Sequence, residues 1–157
     1  MANFNVKSSM EMVEDSALKN LKAMVKRGKN SRSFLQLHAY PVYIKAQMQR
    51  WMTEGASQNE KWDALNPAYA AYKLKKFSTA PGGGRKIMIA TGKLYQSVIG
   101  AGEGHFKMIT DNEMIVGTSV PYATYPSARR KIMHFDKGFI KILKKKWIDY
   151  IIRGKGS

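Results

Sequence analysis

The first regular apolar spacing lies near the N-terminus. Met10, Val13, Ala17, Leu21, Met24 and Val25 recur mostly at steps of three and four residues, which sets them along one stripe of an amphipathic helix. Ser8 and Glu11 stand at capping-box spacing, so this helix is expected to begin near Ser8, and Gly28 is a stop signal. The stripe admits two readings: a core face, or a surface that docks on a neighbouring subunit. Lys29 to Arg32 reads as a polar connection. A second helix is expected from about Pro41, because proline fits a first helical turn. Its apolar face is Ile44, Met48, Trp51 and Met52, and Gly55 to Asn59 ends it in a loop. Asn66 and Pro67 then open a third, short helix, one as cap and the other as first-turn residue. It runs through Tyr69 and Tyr72 to Lys76.

After this the period changes. Leu94 to Gly100 leads into a β-rich part. Phe106–Thr110 and Met114–Thr118 flank Asp111-Asn112-Glu113, a polar turn of hairpin length. Met114, Val116 and Thr118 face one side of the strand, and Ile115 and Gly117 the other. Arg129 to Phe135 reads as a further strand. A C-terminal helix is expected over about 137–153, with Asp136 as cap and Gly154 as stop. Phe139, Ile140, Leu143, Trp147, Tyr150 and Ile151 form its apolar face, with Lys141, Lys144 and Lys145 opposite. The order of helices, strands and helix predicts an α+β fold, with a small antiparallel β-sheet packed against N-terminal and C-terminal helices. One domain is expected over residues 1–157, a length that suits a single core. Mobility is expected at about 1–7 and at about 78–86, where three successive glycines loosen the backbone.

Composition narrows the chemistry. The chain has no cysteine, which excludes disulfides, thiolate zinc sites and cysteine nucleophiles. His38, His105 and His134 fall in three different elements without ligand spacing. The glycine loop lacks the lysine and hydroxyl order of a phosphate-binding Walker loop. Glu11, Glu14 and Asp15 cluster early in a helix, where acids complement the dipole. No catalytic residue, metal, cofactor or small-molecule substrate is therefore expected, and the chain reads as a non-enzyme. No apolar run reaches the ~18 to 20 residues of a membrane span, and the N-terminus lacks a secretory layout. Synthesis in a cytoplasm is the expectation.

Charge adds a partner. The net charge is +16, and its distribution is uneven: +5 over residues 1–61, +5 over 62–100, −2 over 101–128 and +8 over 129–157. Such an excess favours an acidic partner, either nucleic acid or protein. Arg129, Arg130 and Lys131, together with Lys144, Lys145 and Lys146, are the candidate contacts. Their bland alternative is a basic strand edge and a solvated helix face. No base-reading module is present, so contact with DNA would engage the backbone and be salt-sensitive.

One stretch is distinctive as an ordered series. Trp62-Asp63-Ala64-Leu65-Asn66-Pro67-Ala68-Tyr69 is followed by Tyr72-Lys73. Then come Ala90-Thr91-Gly92-Lys93-Leu94-Tyr95-Gln96-Ser97-Val98 and a hairpin ending Val116-Gly117-Thr118-Ser119-Val120-Pro121-Tyr122-Ala123. In physical terms Trp62 and Leu65 anchor a loop on the core. Thr91 and Gly92 turn the chain with a cap-like hydroxyl. Gly117 allows a close backbone approach, and Tyr122 offers an apolar body with a polar tip. In its order the series resembles the virion-morphogenesis or tail-completion family of tailed bacteriophages, including its Mu-like and HK97-like groups. The resemblance rests on Trp62, Leu65, Pro67, Tyr72, Lys73, Thr91, Gly92, Leu94, Ser97, Gly117, Thr118, Tyr122 and Ala123. The chain departs from the family after Ala123, where Thr124 to Arg130 replaces a His-Gln-x-Gly-like turn and a proline-containing strand.

The resemblance implies a tail-completion-like fold and a structural virion protein at the head–tail junction, or neck. It implies a ring, with six subunits expected, that connects the tail to the DNA-filled head. The partners implied are further copies of the chain, adjacent neck or adaptor proteins, tail-terminator, tube or sheath proteins, and double-stranded DNA in the conduit. Assembly would take place in the bacterial host cytoplasm. The competing class is a basic, sequence-independent DNA-binding protein.

Overall fold

The computed structural model describes residues 6–80 and 83–154, and of residues 6–14 and Ser127 the backbone alone. The first helix, α1, spans Val6–Lys29. The expected Ser8–Glu11 capping box lies outside the described side chains. The polar connection is shorter than expected, only Asn30 and Ser31, and a helical rod follows at once. It comprises α2 (Arg32–Phe34), a π-helical stretch Leu35–Ala39, and α3 (Tyr40–Met52). The second helix therefore starts nine residues ahead of its expected opening at Pro41. Pro41 has no N–H for the Leu37 carbonyl, and its ring crowds that carbonyl in a regular α-helix. The widened turn immediately before Pro41 accommodates the ring without ending the rod.

Gly55 lets the chain reverse after α3. It sits at φ 86°, and a Cβ there would fall 1.9 Å from the Glu60 carbonyl oxygen. Asn66 then opens α4 (Pro67–Lys76) as expected, its Oδ1 accepting from the Ala68 N–H at 3.0 Å. Leu94 to Gly100 is not an extended lead-in. Lys93–Val98 forms a helix, α5, with Gly92 at its N-cap, and burial of Leu94, Tyr95, Ser97 and Val98 fixes it.

The hairpin follows the expected pattern. β1 (His105–Ile109) pairs antiparallel with β2 (Met114–Thr118), and the Thr110 N–H donates to the Glu113 carbonyl at 2.9 Å to close the turn. Its main helical neighbour is α5. A 3-10 turn, Pro121–Ala123, leads to a short helix α6 (Thr124–Arg129). The last helix, α7 (Lys137–Arg153), has both expected ends. Asp136 Oδ1 accepts from the Phe139 N–H at 2.8 Å, and Gly154 closes the helix at φ 71°. Phe139, Leu143, Trp147, Tyr150 and Ile151 are at least partly buried, but Ile140, expected on the same face, is exposed. The architecture is α+β, with a two-stranded antiparallel sheet among helices.

The expected strand Arg129–Phe135 does not form. The chain after α6 runs outside any β-ladder, and side chains of α3 hold it instead. Tyr43, Gln47, Arg50 and Trp51 share one buried face of α3. Gln47 Nε2 donates to the His134 carbonyl at 3.1 Å, Arg50 Nη2 to Lys131 at 2.8 Å, and Trp51 Nε1 to Ile132 at 3.1 Å. Tyr43 donates to the Val98 carbonyl at 3.0 Å, which ties in α5. The backbone acceptors of the segment are thus met by a helix rather than by a neighbouring strand. The main core lies beside this seam and includes Trp51, Trp62, Ile89, Leu94, Val98, Val120 and Ile132. A second aromatic cluster joins the rod to α7 through Phe34, Trp147 and Tyr150, with Phe34 edge-on to Trp147 at 4.8 Å.

Candidate functional site

The series Trp62 to Ala123 folds into a scaffold. Trp62 meets Trp51 edge-to-face, with ring centroids 5.4 Å apart, and Leu65 packs on the same core. Leu94, Ser97 and Ala123 are buried. Ser97 Oγ donates to the Leu94 carbonyl at 2.8 Å and lies 2.7 Å from Thr118 Oγ1, linking α5 to β2. Pro67, Tyr72, Thr91 and Tyr122 are exposed at the rim. Thr91 Oγ1 accepts a long bond of 3.4 Å from the Lys93 N–H, so the turn rests mainly on Gly92. The close approach expected at Gly117 is absent. A Cβ there would meet its cross-strand partner Phe106 at 3.9 Å, an ordinary contact.

Lys73 carries more than its place in the series suggests. It is buried, and its ammonium donates to the Lys86 carbonyl. Burial pushes its pKa down, and Glu54 opposes that shift. Glu54 in turn accepts from the Ile87 N–H at 2.8 Å, and Lys86 Nζ donates to the Met52 carbonyl at 2.6 Å. The segment after the glycine loop is therefore held by α4 on one side and by the end of α3 on the other.

Sequence reasoning missed a charged node at Arg50. This side chain is fully buried, and all three nitrogens are engaged. Nη1 donates to Gln58 Oε1 at 2.8 Å and Nη2 to Glu60 Oε2 at 3.2 Å, while Nε joins Nη2 on the Lys131 carbonyl. Glu60 also receives Lys131 Nζ at 2.6 Å and faces His134 Nε2 at 3.7 Å. The hydrogen bond from Lys131, then His134 and Arg50, hold the Glu60 carboxyl below its ordinary range. The signal was available in the helical spacing. Gln47 and Arg50 share the buried face of α3 with Tyr43 and Trp51, whereas of the expected face Ile44, Met48, Trp51 and Met52 only Trp51 is buried, and Met48 and Met52 are exposed.

The same geometry divides the candidate basic contacts. Arg129 is exposed. Arg130 turns back on its own chain, with Nη2 donating to the Asp63 carbonyl at 2.9 Å, and Lys131 is paired with Glu60. Arg129, Arg130 and Lys131 are thus not a uniform outward patch. Lys144 and Lys145 are exposed on α7, and Lys146 is half-buried beside a groove lined by Val42, Phe139 and Ile142.

The histidines take local roles. His38 lies tilted against Phe34 and Tyr150, its ring centroid 5.8 Å from each. His105 bridges the Tyr40 hydroxyl at 3.0 Å and the Ser97 carbonyl at 2.7 Å, which joins hairpin, rod and α5. Among the described residues no group of three or more His, Asp or Glu side chains is placed to hold a metal ion. No helix among them is long and apolar enough to cross a membrane. No family model, curated protein or solved structure matches the chain.

Proposed function

We propose that the chain is a structural virion protein of a tailed bacteriophage, acting at the head–tail junction as a ring that connects the tail to the DNA-filled head. The observation that carries this reading is the ordered series from Trp62 to Ala123, which resembles the tail-completion family. Its residues hold a scaffold together, which suits a structural part.

Two surfaces favour self-association. On α1, Leu18, Leu21 and Val25 lie at i, i+3 and i+7 and are about half exposed, at 49%, 57% and 53%. The 24-residue helix is about 36 Å long, and its main partner among the described elements is α7. Arg27 makes that junction by donating to the Ile151 and Ile152 carbonyls at 2.8 and 3.1 Å. The second surface is the two-stranded hairpin, whose outer edges offer backbone groups for sheet extension by another copy. The remaining partners are neck, adaptor and tail proteins, with DNA in the conduit facing the lysines of α7. The alternative class, a free DNA-binding protein, draws on the same lysines but leaves the apolar stripe of α1 without a role.

Cryo-microscopy of phage particles that carry this chain tests the proposal. The expected result is a closed ring of copies between head and tail. Finding the chain absent from particles, or only in fibres or baseplate, refutes it.

A further inference from the structure

The hairpin has one face turned inward and one left open. His105 bonds Tyr40 and Ser97, Thr118 meets Ser97, and Lys107 lies over the Tyr40 ring at 4.3 Å, so these three belong to the inner face. By strand alternation Phe106, Met108, Ile115 and Gly117 share the outer face, with Phe106 opposite Gly117 and Met108 opposite Ile115. Phe106, Met108 and Ile115 are 47%, 42% and 38% exposed. Gly117 leaves a notch beside the Phe106 ring, where a Cβ would meet only that ring among the described residues. The hairpin turn is acidic. Asp111 and Glu113 are exposed and form no ion pair among the described residues.

The stripe Leu18, Leu21 and Val25 on α1 is the counterpart. It lies on the side of the helix away from the half-buried Ala23, Met24 and Arg27, of which Arg27 reaches α7. Lys22 falls on the side of the stripe, with Lys26 one turn on, and both are exposed and without an ion pair among the described residues. We infer that the α1 stripe of one copy packs on the open hairpin face of the next, head to tail. Charge selects this occupant. The chain carries +16, and of its four segments residues 101–128 alone have a negative balance, −2. Stripe on stripe would bring lysine against lysine, and hairpin on hairpin carboxylate against carboxylate. Stripe on hairpin opposes unlike charges. The dimensions also agree. Leu18 to Val25 rises about 10 Å along the helix, and Phe106 to Met108 spans about 7 Å of strand. A head-to-tail contact is not self-complementary, so its repetition gives a ring or a filament. Six half-exposed side chains make a small contact, below the ~1,000 Å² of a stable pair. Closure, in which each copy makes the contact twice, is what holds it. The inference names the surfaces behind the self-association proposed above and rests on that reading, though not on a position at the head–tail junction.

The chain has no cysteine, so introduced thiols report the contact without background. Full-length Leu21→Cys and Ile115→Cys chains, both changed at exposed positions, are mixed with a short bis-maleimide. One is labelled with nitrogen-15, so that mixed pairs are told apart by mass. The expected rate of joining is about tenfold or more above that of Leu21→Cys with Tyr125→Cys, a control at a 79% exposed position, because contact raises the effective concentration. Asp111→Asn together with Glu113→Gln on the hairpin copy slows it severalfold. A rate no higher than the control, or one indifferent to that loss of charge, overturns the inference. So does Leu21→Cys joining itself as fast, which means paired stripes, or Ile115→Cys joining itself as fast, which means paired hairpin faces. The same thiols are then placed in phage particles. Joining of the purified chains with the chain absent from particles refutes the head–tail reading and leaves the contact standing. A ring in particles whose neighbours do not join at these positions keeps that reading and overturns the contact.

Discussion

The indole N–H of Trp51 donates to the carbonyl of Ile132 at 3.1 Å, inside the core and across 81 positions of sequence. The bond stands where a β-ladder was expected. Trp62, packed edge-on against the same ring, has no acceptor for its own N–H among the described residues. The two tryptophans therefore separate ring packing from hydrogen bonding. Trp51→Phe removes a donor and leaves a buried carbonyl unpaired, a loss of about 1–3 kcal/mol beyond that of ring volume. Trp62→Phe loses similar volume without that term. Urea unfolding should show Trp51→Phe to be the more destabilised variant. The reverse order would remove the role given to this bond.

Glu60 makes the Arg50 node sensitive to acid. Its folded-state pKa is lowered from the ordinary value of 4.5, first by the Lys131 hydrogen bond and then by His134 and Arg50. A carboxyl whose folded pKa is depressed stabilises the fold above its unfolded pKa, and that contribution fades as pH falls through the folded value. Glu60→Gln should therefore lower the urea midpoint at pH 7 and lose that effect at strongly acid pH. A constant gap between wild type and variant across the range would mean that the ion pairs contribute nothing.

The glycine loop offers a test of packing against backbone strain. Gly83 and Gly84 both have positive φ, at 58° and 70°. A Cβ at Gly84 would lie 2.6 Å from the Lys73 carbonyl oxygen, whereas at Gly83 the nearest atom is the Ser78 carbonyl oxygen at 3.6 Å. Each alanine pays for a left-handed backbone, roughly 1 kcal/mol. Only Gly84→Ala must also move α4. Thermal unfolding should show Gly84→Ala clearly below Gly83→Ala. Equal melting points would mean that the loop does not rest on Lys73 in solution.

The parts legible in the sequence are those whose cause is local. Asn66 caps α4 from two residues away, and Asp136 caps α7 from three. The hairpin follows from alternation around a polar turn. The parts that were misread depend on distant partners. Arg129 to Phe135 has strand-like residues, but its carbonyls belong to donors on α3, 81 to 87 positions earlier. Leu94 to Val98 is β-branched only at its end, and burial on several sides makes it a helix. The basic run at Arg129 was visible as charge. Which of its members turn inward was not, because the acceptors are Glu60 and the Asp63 carbonyl, in another part of the chain.

The α1 stripe gives the sharpest separation between folding and assembly. Leu18, Leu21 and Val25 each keep about half of their surface in contact with solvent, so about half of each side chain's burial energy is at stake within one copy. Replacing all three with serine should lower the stability of the free chain by about 2–4 kcal/mol, half of what three fully buried side chains would cost. On the head–tail reading proposed above, the same variant should fail to join the ring in particles if the stripe is the contact between neighbours. The measurement is a pair: the melting temperature of the purified chain, and its abundance in phage particles grown with the variant gene. A loss well beyond that amount would place the stripe in the core of the single copy. A loss within it together with normal incorporation would leave the hairpin edges as the joining surface.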